Sequence, residues 1–181
     1  MKQMFFPAII FLLAGCGESD QPDGVPFEGY QTVELTTEEK QLVISQVQSA
    51  IGQPYLWGGQ SMTEGFDCSG LLVWAYQQSN LLGWKWKDRL VTDATAQTMH
   101  DDNSTGSTYL TLNDMKAGDW IFFDADYNGT LEHMSIYSHT DDQGIWVWDA
   151  YSIKGEVALR VVDNFQAKNP YFSKPMKVIK Q

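Results

Sequence analysis

The sequence predicts a single α+β domain, with N-terminal helices packed on an antiparallel sheet of about five strands. The first half holds helix start signals followed by apolar residues at helical spacing. From Gly118 onward the pattern changes to short runs rich in β-branched and aromatic residues, most of them separated by Gly and Asp/Asn clusters. Helices first and antiparallel strands afterwards is the α+β arrangement. The chain has 181 residues, of which 43% are hydrophobic and 13% aromatic, enough for one domain with a real core and too apolar for disorder.

Residues 1–15 read as a leader rather than as part of the fold. Lys2 supplies a short positive region and Met4 to Leu13 an apolar core, shorter than the about 20 apolar residues that span a bilayer. Leu13-Ala14-Gly15-Cys16 resembles a bacterial lipobox. That resemblance implies cleavage before Cys16, lipidation of Cys16, and a chain anchored to a membrane rather than spanning it. The alternative is an ordinary secretory signal with a chance cysteine. After Cys16, the residues Glu18, Asp20, Asp23 and Glu28 alternate with Gly17, Pro22, Gly24, Pro26 and Gly29. Residues 16–30 are therefore expected to form a mobile polar linker, and residues 31–181 the domain. No repeat and no second domain is evident.

Thr36-Thr37-Glu38-Glu39 fits a capping box, with Thr36 as N-cap and Glu39 at the third position. Leu42, Val43, Val47, Ala50 and Ile51 then share one helical face, and Gly52 and Pro54 end the helix. A second helix is predicted over Leu71-Leu72-Val73-Trp74-Ala75-Tyr76, ending in Gln77-Gln78-Ser79-Asn80, with Asp67 as N-cap and Cys68 in the first turn. A thiol placed there meets the positive end of the helix dipole and unpaired backbone N–H groups, which stabilise the nucleophilic thiolate. Ser69 and Gly70 are small enough to let another backbone or a substrate approach. The bland alternative is a buried structural cysteine. The chain has two cysteines, and if Cys16 carries lipid, Cys68 has no intrachain partner. An exported protein that keeps one unpaired thiol favours chemistry over structure.

Tyr55-Leu56-Trp57-Gly58-Gly59, a short loop, then Gly65-Phe66-Asp67-Cys68-Ser69-Gly70 and an apolar helix resemble the NlpC family of bacterial cell-wall cysteine peptidases. The resemblance extends more weakly over residues 36–180. It implies a papain-like fold, with the cysteine on a helix N-terminus and a histidine on a facing antiparallel sheet. It also implies hydrolysis of amide bonds in peptidoglycan stem peptides, commonly next to D-glutamate, with no cofactor. Tyr55, Asp67 and Ser69 match family positions near the nucleophile. By resemblance, Asp67 and Ser69 receive the substrate's amino end and Tyr55 borders the site. Asp67 also has its cap role, which accounts for it without a substrate. The Cys68 backbone N–H is a natural oxyanion donor.

Of three histidines, His100 beside Asp101 and Asp102 falls in an expected loop and His139 in an expected turn; both are most simply solvated. His133 opens His133-Met134-Ser135-Ile136-Tyr137, which resembles the family's His-bearing strand, as Ala117 to Phe123 resembles its Gly-Asp strand. His133 is the expected base. If His133–Ser138 and Ile145–Tyr151 form a hairpin, pairing His133 with Asp149 also pairs Ser135 with Val147 and Tyr137 with Ile145. Asp149 is then placed to orient the imidazole. The family often has a histidine in this role, so an aspartate is a departure; the alternative is an exposed Asp at a strand end.

Further strands are expected at Asp119–Phe123, Val157–Val162 and Met176–Ile179 and a short helix at Asp93–Met99, with a polar loop at Asp101–Thr108. The interleaved aromatics and bases of Leu81–Arg89, with Trp84-Lys85-Trp86-Lys87 at their centre, could line a substrate cleft or touch a membrane, but a loop whose tryptophans cover the core is the simpler reading. Asp124-x-Asp126-x-Asn128-Gly129 matches half a calcium loop without the Glu at the twelfth position, where Ser135 stands; a polar turn is expected. Calcium binding by that turn is the alternative; there is no His-Glu-x-x-His and no paired Cys for zinc, and no metal is assigned to the site. A net charge of −11 disfavours nucleic acid and anionic lipid headgroups as general partners.

Together these readings describe a lipid-anchored thiol peptidase of the bacterial cell envelope. It would be periplasmic or on the outer surface, monomeric, with peptidoglycan peptides as partners and no nucleic acid. The alternatives are an acyltransferase or amidase using the same Cys–His pair, as in the related lecithin retinol acyltransferase group, and a non-catalytic wall-binding lipoprotein.

Overall fold

The computed structural model describes residues 24–104 and 110–181. The expected leader, Cys16 and part of the polar loop lie outside the described residues. In chain order the elements are β1 (Gly24–Pro26), β2 (Tyr30–Glu34), α1 (Thr37–Ser49), β3 (Gln60–Ser61), β4 (Gly65–Phe66), α2 (Cys68–Gln78), β5 (Trp84–Trp86), β6 (Arg89–Val91), α3 (Ala96–Ser104), β7 (Trp120–Phe123), β8 (His133–Asp141), β9 (Gly144–Tyr151), β10 (Glu156–Val161), β11 (Pro170–Ser173) and β12 (Met176–Lys180). Short 3-10 turns lie at Leu112–Asp114 and Phe165–Lys168.

The α+β expectation holds. The main sheet has five antiparallel strands in the order β10-β9-β8-β7-β11, and α2 packs both on α1 and on β8 and β9. Its fifth strand, however, is β11 rather than the expected Met176–Ile179 segment. That segment is a strand, β12, but it pairs with β2 in a separate two-stranded sheet. β11 begins at Pro170 and pairs only with β7, the edge position where a residue without an N–H is tolerated. Residues 24–30, expected as linker, are partly ordered: β1 pairs with β6, and β6 with β5. Arg89 also donates a hydrogen bond to the Gly24 carbonyl.

The α1 capping box forms as predicted, with Glu39 N–H donating to Thr36 Oγ1 (3.3 Å) and Thr36 N–H to Glu39 Oε2 (2.9 Å). The buried stripe of α1 is rotated from the one expected. Val43, Ile44, Val47 and Ala50 are buried, whereas Leu42 and Ile51 are exposed. The Trp84–Trp86 segment is a strand rather than a loop, but it does cover the core, with Trp84 fully buried against Tyr76 at a ring distance of 4.7 Å.

The main sheet is buried on both faces, which explains why β7 reads as the unbroken apolar run Trp-Ile-Phe-Phe. Even-numbered Trp120, Phe122, Met134, Ile136, Trp148 and Ala150 share one core with Leu71, Leu72 and Ala75 of α2. Odd-numbered Ile121, Phe123, Tyr137, Ile145 and Val147 form a second core with Val162 and Phe165. Full burial of each large aliphatic chain here contributes about 1.5–3 kcal/mol. The first core fixes α2 against the sheet and thereby sets where its N-terminus points.

Candidate active site

The N-terminus of α2 is built from the turn before it. Asp67 is the N-cap, and its Oδ1 accepts from Gly70 N–H (2.7 Å) and from Ser69 Oγ–H (3.1 Å). Its Oδ2 accepts from Gly58 N–H (2.8 Å), which ties the cap to the aromatic turn. Gly59 completes the joint: its carbonyl accepts from Asp67 N–H (3.0 Å), and it lies so close to Gly70 that a Cβ there would stand 2.1 Å from the Gly59 oxygen. This is the close backbone approach for which the small residues were singled out. The turn is held from its other side by Tyr55 N–H donating to the Gly155 carbonyl (2.8 Å). Cys68 stands at the first helical position, partly exposed and with a free thiol. Tyr55 is half-buried near it. Burial, and then the negative charges of Cys68 and Asp67, raise the Tyr55 pKa.

His133 is the first residue of β8. Its Nε2–H donates to Asp149 Oδ2 at 2.8 Å, and Cys68 lies close enough to the same imidazole to help raise its pKa. The ring stacks on Phe123 (5.7 Å) and meets Tyr151 (5.5 Å). Burial works against a charged His133, but the hydrogen bond to Asp149, the nearby Cys68 and the negative charges of both outweigh it, pushing its pKa up to about 9. Asp149 is fully buried. Burial alone would raise its pKa; the bonds and charges of His133 and Arg160 hold it below the usual carboxylate range instead.

Sequence reasoning placed His133 and Asp149 on one face correctly, but by a register two residues off. The observed pairs are Ile136 with Trp148 and Tyr137 with Val147, followed by a bulge between Tyr137 and His139. The strand runs on to a tight turn at Asp141–Gly144 instead of ending at Ser138. Continuing that register brings Ser135, not His133, opposite Asp149, and Ser135 Oγ–H donates to Asp149 Oδ2 (2.6 Å). His133 reaches the carboxylate diagonally. A shift of two preserves the side-chain face, so the expected contact survives the wrong pairing.

The remaining histidines also differ from expectation. His139 lies in β8, half-exposed and stacked on Trp146. His100 lies within α3 rather than in a loop, mostly buried and edge-on to Phe122 and Tyr171. The Asp124–Gly129 segment is a turn closed by its own backbone: the buried Asp124 accepts from Asn128 N–H (2.9 Å) and Gly129 N–H (3.1 Å). No group of three or more His, Cys, Asp or Glu is placed to hold a metal among the described residues.

Arg160 is the residue that sequence reasoning missed. It is buried and grips Asp149 with two bonds, Nε to Oδ1 (2.9 Å) and Nη2 to Oδ2 (2.6 Å). The available signal was an arginine inside the apolar run Val157-Ala158-Leu159-Arg160-Val161-Val162, where a charge needs a buried partner. A pocket of about 180 Å³ adjoins His133, bounded by Phe123, Glu132, Tyr151, Val162 and Lys168. A larger pocket of about 690 Å³, between Glu34, Lys40, Asn113 and Lys174, contains none of the candidate residues, whereas the smaller one is lined by His133 and Arg160 but not by Cys68.

A cysteine at a helix start, facing a histidine backed by a carboxylate on an antiparallel sheet, defines a papain-like α+β fold. The sequence profile of the NlpC/P60 family matches residues 52–173, more than half of the chain, and the chain belongs to that family. It is 32% identical over 97 residues to the probable endopeptidase YafL of Escherichia coli, covering 54% of this chain and 35% of that protein. It is 33% identical over 109 residues to the bifunctional muramidase/DL-endopeptidase CwlT of Bacillus subtilis, covering 56% and 29%. The chain thus spans about a third of the length of these relatives. Among solved structures, an NLP/P60-family protein similar to lipoproteins from Staphylococcus aureus superposes with a TM-score of 0.54 at 22% identity, over 80% of this chain and 44% of the other. RipD of Mycobacterium tuberculosis, a non-catalytic NlpC/p60 domain protein adapted to peptidoglycan binding, superposes at 0.53 and 18% identity, over 77% and 98%. These two structural matches establish the fold; the side chains present must argue the chemistry.

Proposed function

We propose that this chain is a cysteine endopeptidase that hydrolyses an amide bond in peptidoglycan stem peptides through a Cys68 thioester. The observation that carries the reading is the relay in which one imidazole, His133, meets Cys68 and is held by Asp149 at 2.8 Å. His133 takes the Cys68 proton, and the thiolate attacks the scissile carbonyl. The Cys68 backbone N–H, at the positive end of α2, faces the developing oxyanion. Collapse breaks the C–N bond, and His133 gives its proton to the leaving amine. His133 then removes a proton from water, whose oxygen attacks the thioester; the carboxylic acid leaves and the thiol is restored. Asp149 holds the imidazolium at each charged stage. Tyr55, Asp67 and Ser69 line the approach to the nucleophile, and the family resemblance supports cleavage next to D-glutamate.

The Leu13–Cys16 motif supports lipidation of Cys16 and action in the cell envelope, with the domain held at the membrane as a monomer by the segment after Cys16. The test is incubation of the purified full chain with defined muropeptides and measurement of fragment masses. The reading predicts a free acid and a free amine from one bond; a new amide product would assign acyl transfer instead, and intact substrate would refute hydrolysis.

A further inference from the structure

We propose that Arg160 is a positioning residue of this site: it is the buried counter-cation that lets an aspartate, rather than a neutral group, stand behind His133. The inference rests on the Cys68–His133–Asp149 reading and deepens it. Asp149 Oδ2 receives His133 Nε2–H (2.8 Å), Ser135 Oγ–H (2.6 Å) and Arg160 Nη2–H (2.6 Å), while Arg160 Nε–H occupies Oδ1 at 2.9 Å. Both oxygens are committed, and the planar fork of arginine fixes the carboxylate in one orientation. Arg160 lies opposite Val147 on β10 and reaches back toward Asp149 and Tyr151. Its guanidinium lies 3.8 Å over the Tyr151 ring, and that ring in turn borders the His133 imidazole at 5.5 Å.

The charge balance gives this arrangement its purpose. With the thiolate formed, Cys68, His133 and Asp149 carry one net negative charge inside the protein, and Arg160 brings the group to neutrality. Asp149 and Arg160 have side-chain exposures of 0% and 6%, so water contributes little compensation. The other polar groups around the site are Tyr55 in the aromatic turn, Asp67 at the cap of α2, Ser135 on β8, Glu132 just before it, and Lys168 in the 3-10 turn, 6.0 Å from the Tyr151 ring centre. None of these five is bonded to Asp149 as a cation. Removing Arg160 alone leaves an excess negative charge that opposes the thiolate. Removing the charge of Asp149 alone leaves a buried guanidinium that opposes the imidazolium. Removing both restores balance.

A double-mutant cycle with Arg160→Met and Asp149→Asn tests this, on the full chain, with thermal unfolding recorded for each variant. Two quantities are read: the pH midpoint of Cys68 alkylation by iodoacetamide, localised by peptide mapping, and kcat and KM on muropeptides. Arg160→Met is expected to raise the alkylation midpoint by about one unit and to lower kcat/KM about 10- to 100-fold, mostly through kcat. Arg160→Lys, which keeps the charge without the fork, should fall between. The double variant should react faster than either single variant, by about threefold or more. An unchanged midpoint in Arg160→Met, or a double variant no faster than the slower single one, overturns the proposal. If Arg160→Met does not fold, the double variant is compared with Asp149→Asn alone, and the absence of recovery overturns it equally. The two ideas fail separately: a wild-type protein that hydrolyses nothing refutes the peptidase reading, whereas an active enzyme indifferent to Arg160 refutes only this inference.

Discussion

Adding one methyl group at Gly70 should both loosen the fold and disarm the site. Gly70 lies in the first turn of α2, and a Cβ there would stand 2.1 Å from the Gly59 oxygen, 3.0 Å from Gln60 Cγ and 3.1 Å from Asp67 Oδ1. The nearest contact is backbone and cannot swing away. Reaching an ordinary contact of 3.4 Å requires the helix start and the aromatic turn to part by about 1.3 Å. That movement pulls on the bond from Asp67 N–H to the Gly59 carbonyl and on the bond from Gly58 N–H to Asp67, which together place Cys68. Alanine is otherwise the better helix residue, by about 0.5–1 kcal/mol, so the two effects oppose each other. Overpacking of about 1–3 kcal/mol should win, giving net destabilisation by Gly70→Ala of about 1–2 kcal/mol. A displacement on the order of 1 Å at a reacting group also lowers turnover by about 100-fold. Urea unfolding and muropeptide hydrolysis measure the two effects. A Gly70→Ala protein that is more stable than wild type and equally active would refute the close-approach argument.

Two further outcomes rest on the site geometry and one on the sequence of the leader. Asp67→Asn can keep the bond from Gly70 N–H but sets an amide NH2 against Gly58 N–H, where Asp67 Oδ2 now accepts at 2.8 Å, so it should lower stability by about 1–3 kcal/mol; a rise in KM with kcat kept would support contact with the substrate's amino end, and an unchanged KM would leave Asp67 a structural residue alone. Because the His133 pKa rises from 6.5 to about 9 on folding, its stabilising contribution is complete below about pH 6.5 and is lost as pH rises through about 9. Part of that rise comes from Cys68, so urea unfolding in a Cys68→Ala background, where no thiol titrates and Asp149 still holds the imidazolium, should show stability falling as pH rises above about 6.5, over a range that ends below about pH 9; His133→Gln should flatten the fall. Cys16→Ser should abolish membrane fractionation or leave the leader uncleaved, and a wild-type protein carrying no lipid would remove the tether from the account.

The parts of the molecule legible in the sequence are those governed by local rules. Thr36 and Glu39 announce a helix start because both partners of the capping box lie within four residues. Asp67 announces the helix that carries Cys68 for the same reason. Side-chain alternation placed His133 and Asp149 on one face even though the exact pairing was wrong, because parity survives a two-residue slip while register depends on where the turn falls. What was not legible depends on distant partners. Gly24-Val25-Pro26 reads as linker until β6 offers it an edge, and Pro170–Ser173, absent from the expected strands, becomes one only against β7. Met176–Lys180 is a strand in either setting, but its sequence does not say that β2 is its partner. Arg160 was passed over because a charge in a strand reads as a solvent-facing residue, and only the fold reveals Asp149 beside it.

The central claim is that Cys68 is the nucleophile, and fragment release by a Cys68→Ala protein tests it most directly. Cys68 is only partly buried at a helix start, so its truncation should leave the thermal transition and circular dichroism close to wild type. Under conditions where the wild-type protein converts a defined muropeptide fully, the account predicts that this folded variant releases no fragment above the buffer control. Release at a rate comparable to wild type would contradict it and move the chemistry to another residue.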